Sequence, residues 1–371
     1  MIAPAKILDC EFTLALNNRT GKYFFCQDMI DASMDLIDSC YYWRISLKTL
    51  PSRTVSRILG RLALIEVNIR ARWPISYKIL RPIRHRNPMV FTDPRECILY
   101  SVKACDVVLC HDMGPLTHPE FYSDGVREVY ALAFDRISDA RPLMLFVSEA
   151  SRQDFVSLYG SNFPLLKVIH IPLRNGIASS DVQIIGGIPE KFFLTVGSLG
   201  TRKNQVRSIA AFEASGLASD GYGYVVCGGP EPGAEDVISL AKQTAGVILP
   251  GYVNESQLRW LYKNAKGFIL VSLLEGFGLP AAEAVSHGLV PLLSAGGALQ
   301  EVAGDGALFV NPRDPADIAT GMQKLANMTV SEREDRLASL RLNIGRFSSE
   351  AAISAWQSAL TLAIERWRVA A

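Results

Sequence analysis

The chain has 371 residues, 49% hydrophobic and 20% charged, with a formal net charge of +1. That length exceeds what one hydrophobic core usually supports, so a single small domain is excluded and two domains are expected. The cysteines, at positions 10, 26, 40, 97, 105, 110 and 227, show no Cys-x-x-Cys spacing, and their odd number argues against a disulfide framework.

In chain order, the first marked segment runs from Arg44 to Arg86. It holds Arg44, Lys48, Arg53, Arg57, Arg61, Arg70, Arg72, Lys78, Arg81, Arg84 and Arg86 against the single acid Glu66, with Tyr41, Tyr42, Trp43 and Trp73 beside them. Arg53, Arg57 and Arg61 recur every four residues and form a basic stripe if that stretch is helical. Such a segment fits an anionic membrane surface, and no nucleic-acid partner is expected. Asp106 to Pro115 then reads as a short strand ending in His111-Asp112, followed by a proline-rich turn. A domain boundary is expected between about Arg174 and Pro189, where Asn-Gly, Ser-Ser and Gly-Gly mark turns.

Beyond it the alternation is regular. Lys191–Ser198 is a buried strand breaking at Gly197, and Thr201-Arg-Lys-Asn-Gln205 opens an amphipathic helix with Asn204 as its N-cap. Strands follow at Gly223–Gly229 and Gly246–Val253, then a helix from about Glu255 to Asn264 and a strand at Gly267–Ser272. Glu275-Gly-Phe-Gly-Leu-Pro-Ala-Ala-Glu283 comes next, then Leu289–Ser294, a short helix around Glu301 and Ala307–Val310. This is the spacing of a doubly wound parallel sheet. A last helix is expected from Ser348 to Val369.

Open α/β sheets bind ligands at the carboxyl ends of their strands. Gly276 and Gly278 let backbone N–H groups approach an anion, and the helix start after them favours negative charge. Glu283, in the second turn of that helix, can accept two hydrogen bonds from vicinal hydroxyls, as on a ribose. Arg202 and Lys203, at a strand-to-helix turn, suit a diphosphate: one offers a planar fork, the other a point charge.

The order Val-Gly-Ser-Leu-Gly-Thr-Arg-Lys-Asn, Leu-Pro-Gly-Tyr-Val, Glu-Gly-Phe-Gly-Leu-Pro-Ala-Ala-Glu, Gly-Leu-Val-Pro-Leu-Leu-Ser and Glu-Val-Ala-Gly-Asp-Gly-Ala resembles the retaining glycosyltransferases of family 4 over about residues 190 to 330. The resemblance implies the GT-B fold, an α/β architecture of two Rossmann-like doubly wound domains facing across a cleft. Residues 1–180 would bind the acceptor, 181–347 the nucleotide-sugar donor, and 348–371 would form a helix crossing back to the first domain. It further implies that His111, Arg202, Lys203 and Glu275 are catalytic. Gly21, Ser198, Tyr252, Val253, Gly276, Phe277, Gly278, Leu279 and Glu283 would hold the donor, with Glu283 on the ribose and the Tyr252-Val253 backbone at the base.

Leu145–Asp154 resembles the family's next strand and helix start, with Ser148 or Ser151 able to cap, and Val168–Gly176 its strand into the linker. The N-terminal loop departs from the pattern, offering Gly21 where relatives usually show two glycines. Bacterial mannosyltransferases of polysaccharide assembly are the nearest match, which implies a hexosyl transfer, with GDP-mannose as donor and a lipid-linked saccharide as acceptor. No cofactor is expected, and no metal, since no Asp-x-Asp pair occurs. Lys203→Ala is expected to cut turnover by about 100-fold or more and leave the fold intact. Met1 to Lys6 is too short for a leader or an anchor, so the protein is expected in the cytoplasm, peripheral on the inner face of the membrane. A non-catalytic nucleotide-sugar binder, or another GT-B enzyme using a UDP-sugar, are the alternatives.

Overall fold

The computed structural model describes residues 6–17, 21–47, 49–73, 80–173, 182–251 and 253–370. The chain divides into two compact units, Met1–Pro172 with Ser349–Ala371, and Leu173–Ser348.

In the first unit the strands are β1 (Leu8–Glu11), β2 (Ile37–Tyr42), β3 (Ile45–Ser46), β4 (Met89–Phe91), β5 (Val107–Cys110), β6 (Leu143–Phe146) and β7 (Leu165–Val168). They lie in the order β3-β2-β1-β4-β5-β6-β7, and only β3 pairs antiparallel. β5 and β6 are apolar throughout because both faces of the sheet are covered; every side chain in them is fully buried. Phe134, Phe146 and Phe155 pack ring to ring beneath β6, with centroids 5.2 to 5.9 Å apart. Ser148, not Ser151, caps the helix Glu149–Tyr159, its Oγ accepting from the Ser151 N–H at 3.1 Å. The final helix, Ser349–Ala370, belongs to this unit: Trp356 is fully buried, and Gln357 Nε2 donates to the Ala32 carbonyl at 2.9 Å.

The second unit holds β8 (Lys191–Val196), β9 (Tyr222–Cys227), β10 (Val247–Ile248), β11 (Gly267–Leu270), β12 (Pro291–Ser294) and β13 (Leu308–Val310), all parallel, in the order β10-β9-β8-β11-β12-β13. Chain order reverses between β8 and β11, so the loops leaving these two strands part there and open the crevice in which doubly wound sheets take ligands. The apolar run Gly246–Val253 yields only the two residues of β10, because Pro250 has no N–H for a ladder and Gly251 has φ +75°.

Two expectations need correction. Asn204 does stand at the N-cap of the helix Gln205–Ser215, yet its side chain makes no cap bond; it is left-handed (φ +62°) and its Nδ2 donates to the carbonyls of Val271 at 2.9 Å and Pro312 at 2.7 Å. The residue therefore ties the loop after β8 to the ends of β11 and β13. In the basic segment, the helix Arg53–Arg72 exposes Arg53, Arg57 and Arg61. Arg70 instead is buried and binds Glu66 through Nε and Nη2 at 2.9 and 2.7 Å, and Arg44 reaches the same carboxylate at 3.0 Å. Those two cations are structural, since a buried carboxylate needs compensating charge. Lys48 and Lys78 lie outside the described residues, as do 174–181 of the expected boundary.

Candidate active site

At the switch point of the second unit, β8 ends at Gly197 and the loop climbs through Ser198 to a short 3-10 turn, Thr201–Lys203. Gly228, just after β9, presses on it so closely that a Cβ there would sit 1.8 Å from the Gly197 carbonyl oxygen. This packing aims the two cations at the loop after β11. Lys203 Nζ donates to Glu275 Oε1 at 2.6 Å, and Ser272 Oγ donates to the same oxygen at 2.7 Å. Arg202 stands 3.9 Å from the other carboxylate oxygen and donates to the Leu274 carbonyl at 3.2 Å. Burial alone would raise the Glu275 pKa, but Lys203 and then Arg202 outweigh it and hold the carboxyl below its ordinary range.

Ser198 and Arg202 also meet through a residue that the sequence did not point to. Glu231, in the loop after β9, accepts from Ser198 Oγ at 2.6 Å and from Arg202 Nη2 at 3.0 Å. A carboxylate thus sits where Arg202 and Ser198 converge, which marks the spot as one suited to an oxyanion. Nothing in the run Gly-Gly-Pro-Glu-Pro-Gly signals this contact, because it depends on β9 lying beside β8.

Gly276 and Phe277 lead into the helix Leu279–Ser286, with Gly278 left-handed at its N-cap (φ +95°) and Pro280 in its first turn. The left-handed backbone is what favours glycine at 278; a Cβ there would also meet the tip of the Leu299 side chain at 2.6 Å, which would have to move aside. Phe277 is buried edge-on against Phe347, ring centroids 5.3 Å apart, which leaves the loop's backbone rather than this ring to meet a ligand. Glu283 lies away from the Lys203 cluster's bonds: Tyr262 donates to it at 3.0 Å, and burial raises its pKa. No local signal sets Tyr262 apart from any other helix tyrosine, so the sequence alone does not single it out. Val253 follows β10 just before the capping residue Asn254 of the helix Glu255–Asn264; Tyr252 is outside the described residues.

In the first unit, His111 follows β5 and is buried, its Nε2 donating to the Thr92 carbonyl at 2.9 Å. With that proton assigned from its partner, Nδ1 carries a lone pair and meets no hydrogen-bond partner among the described residues. Burial first, and Lys22 second, push its pKa down to about 4, so the ring is neutral at physiological pH. Gly21 opens the helix Gly21–Asp31, and its neighbour Lys22 binds Asp112 at 3.0 Å, which gathers the glycine and the His111-Asp112 strand end into one place. Because an unfolded histidine takes up a proton near 6.5 and this folded one resists until about 4, stability should fall as pH drops through that window. The expected loss is about 3 kcal/mol. His111→Gln should remove that part of the slope, as read from urea midpoints at pH 7 and pH 4.5; parallel profiles for the two proteins would refute it.

Compared with known proteins, residues 186–339 match the family described as glycosyl transferases group 1. The second unit is a group 1 glycosyltransferase domain. The O-antigen chain mannosyltransferase B of Escherichia coli is 25% identical over 259 residues, covering 64% of this chain and 67% of that protein. The serotype-specific mannosyltransferase WbdA of Escherichia coli is 27% identical over 277 residues, 70% of this chain but only 33% of that longer protein. The O-antigen chain mannosyltransferase RfbU of Salmonella typhimurium is 28% identical over 216 residues, 56% of this chain and 57% of its own. Among solved structures, a UDP-forming α,α-trehalose-phosphate synthase from Burkholderia xenovorans has TM-score 0.66 at 15% identity, covering 98% of this chain and 99% of that one. One from Burkholderia vietnamiensis has TM-score 0.60 at 18% identity over 85% and 81%. These structural likenesses speak to fold, and the fold is GT-B. Arg202, Lys203, Glu231, Glu275 and Glu283 all lie inside the matched residues.

Proposed function

We propose that this chain is a retaining mannosyltransferase that moves mannose from GDP-mannose to a lipid-linked saccharide during polysaccharide assembly. The observation that carries the reading is the junction of Arg202, Lys203 and Glu275 at the β8/β11 switch point. Breaking the anomeric carbon–diphosphate bond builds negative charge on the departing oxygen. Arg202, Lys203 and the helix N-terminus at Leu279 are placed to stabilise that charge. The Glu231 carboxylate already occupies an anion position on Ser198 and Arg202; the diphosphate would take its place. Glu283 would accept from the ribose hydroxyls, its orientation set by Tyr262. In the first unit, the Nδ1 of His111, without a partner among the described residues, can accept a hydrogen bond from a hydroxyl group. The acceptor would attack from the face the diphosphate leaves, with the phosphate taking its proton, so no protein nucleophile is required. The mannosyl assignment rests on the relatives at 25 to 28% identity.

The test is a thermal-shift panel of GDP, UDP and ADP with their sugars, followed by turnover with and without EDTA. A nucleotide at about a hundred times its Kd adds about 2.7 kcal/mol. GDP and GDP-mannose should give the largest shifts, and EDTA should leave turnover unchanged. Shifts from UDP alone would move the assignment to a UDP-sugar. Binding without any transfer or hydrolysis would favour a non-catalytic partner.

The helix Arg53–Arg72 supports the membrane part of the proposal. Val55, Ile58, Leu62 and Ile65 are 43 to 55% exposed on it, interleaved with Arg53, Arg57 and Arg61. An exposed apolar row flanked by arginines fits the interface of an anionic leaflet, each cation contributing up to about 1 kcal/mol. No helix among the described residues is long and apolar enough to cross a membrane. Binding to vesicles rich in anionic lipid should fall steeply with added salt, and Arg57→Glu with Arg61→Glu should abolish it. Pelleting that ignores lipid charge would end this idea.

A further inference from the structure

The loop after β9 is fastened to the loop after β8 by its backbone. The Leu199 N–H donates to the Gly229 carbonyl at 2.7 Å, the Glu231 N–H to the Leu199 carbonyl at 2.8 Å, and the Thr201 N–H to the Pro232 carbonyl at 3.0 Å. Pro230 and Pro232 stiffen the chain on either side of Glu231. Glu231 therefore stands on a fixed base, and its side-chain torsions are what can move its carboxylate.

Two carboxylates share the cations Arg202 and Lys203, and they are held unequally. The Glu275 side chain is 8% exposed, with Lys203 and Ser272 on Oε1 and Arg202 3.9 Å from Oε2. The Glu231 side chain is 20% exposed; Ser198 and Arg202 both donate to its Oε2, while Oε1 meets no partner among the described residues. A half-supported carboxylate gives up less on returning to water, so Glu231 is the one that can leave. Arg202 keeps its place without it, through its bond to the Leu274 carbonyl at 3.2 Å. With both carboxylates in position the two cations are matched charge for charge, and an incoming anion meets little net attraction. Once Glu231 swings out, one positive charge is in excess.

We propose that Glu231 is a built-in competitor for the diphosphate position, swinging out when a diphosphate binds and returning to drive the nucleoside diphosphate product off; this rests on the donor reading given above. The product needs such help more than the donor does. Loss of the sugar turns a phosphodiester into a terminal phosphate, which carries further negative charge at neutral pH and binds the same cations more strongly. A tethered carboxylate that takes back Ser198 and Arg202 weakens both complexes and shortens the life of the tighter one. Its removal therefore has the opposite sign to the loss of an ordinary binding residue: the anion binds better, not worse.

The test is calorimetric titration of the full chain with inorganic pyrophosphate, GDP and UDP. Glu231→Gln, which keeps the shape and removes the charge, should bind pyrophosphate and the preferred nucleotide about tenfold more tightly or more, with the gain shrinking as salt is added. Glu231→Ala, which also gives up the bonds to Ser198 and Arg202, should tighten binding as well, and it decides the matter if the glutamine amide stays seated on those two donors or the glutamine variant fails to fold. Binding that is unchanged or weaker in both variants, with the wild type still taking nucleotide, would overturn the competitor and leave the donor site standing. Failure of pyrophosphate and both nucleotides to bind any of the three proteins would overturn the donor site and the competitor together.

Discussion

Lys203→Ala is expected to cut turnover by about 100-fold or more and also to destabilise the protein by about 3 to 5 kcal/mol. The sequence suggested that the fold would be indifferent to this change. The structure corrects that, because the Lys203 and Glu275 side chains are each only 8% exposed and sit 2.6 Å apart. Removing the ammonium leaves a buried carboxylate with Ser272 and a distant Arg202 as its remaining support. Adding Glu275→Gln should recover much of the stability, since the uncompensated charge disappears, and recover none of the turnover. Denaturation midpoints and initial rates for the single and double variants separate the two effects. Wild-type turnover in Lys203→Ala would show the cations to be misassigned, and a double variant as unstable as the single would show that the pair is not coupled.

Gly228→Ala should be a highly damaging small change in the second unit. Its Cβ would stand 1.8 Å from the Gly197 carbonyl oxygen and 2.5 Å from that carbonyl carbon, both backbone atoms with no rotamer to yield. The loop after β8 must then move, and with it Ser198, Arg202 and Lys203. A loss above about 3 kcal/mol is expected, together with loss of nucleotide binding, as for other backbone displacements in close-packed regions. Gly229→Ala, one residue on, is the control: no atom lies within 4 Å of a Cβ there, and it should fold and bind as the wild type does. Equal behaviour of the two variants in melting and thermal-shift experiments would contradict this packing.

Much of the second unit's fold was legible because each parallel strand carries its signal locally. Lys191–Val196, Gly267–Leu270 and Pro291–Ser294 are apolar runs ended by Gly or Ser, and the helix Glu255–Asn264 announces itself with an Asn254/Gln257 capping box. Gly278 was legible as a place where backbone N–H groups could approach an anion, and its left-handed φ came only with the structure. Local signals also misled. The run Gly246–Val253 looks like a full strand, but Pro250 and Gly251 end pairing after two residues. Asn204 has the composition of a capping residue and spends its amide on two carbonyls far away in sequence. Arg44 and Arg70 count as surface charge in the sequence and prove to be the partners of one buried glutamate.

Residue types, spacing and apolar periodicity are properties of neighbouring positions, so the sequence alone determined the doubly wound class, the placing of Arg202, Lys203 and Glu275 after strand ends and of Glu283 in the helix that follows, and the basic helical stripe. Contacts that join separate strands are set by which strands become neighbours. The reversal of order between β8 and β11 is what brings Lys203 to Glu275, and the β8–β9 pairing brings Glu231 to Ser198 and Arg202. That His111 Nδ1 meets no partner among the described residues is known only once burial is known, because whether a polar atom lacks a partner depends on everything packed around it.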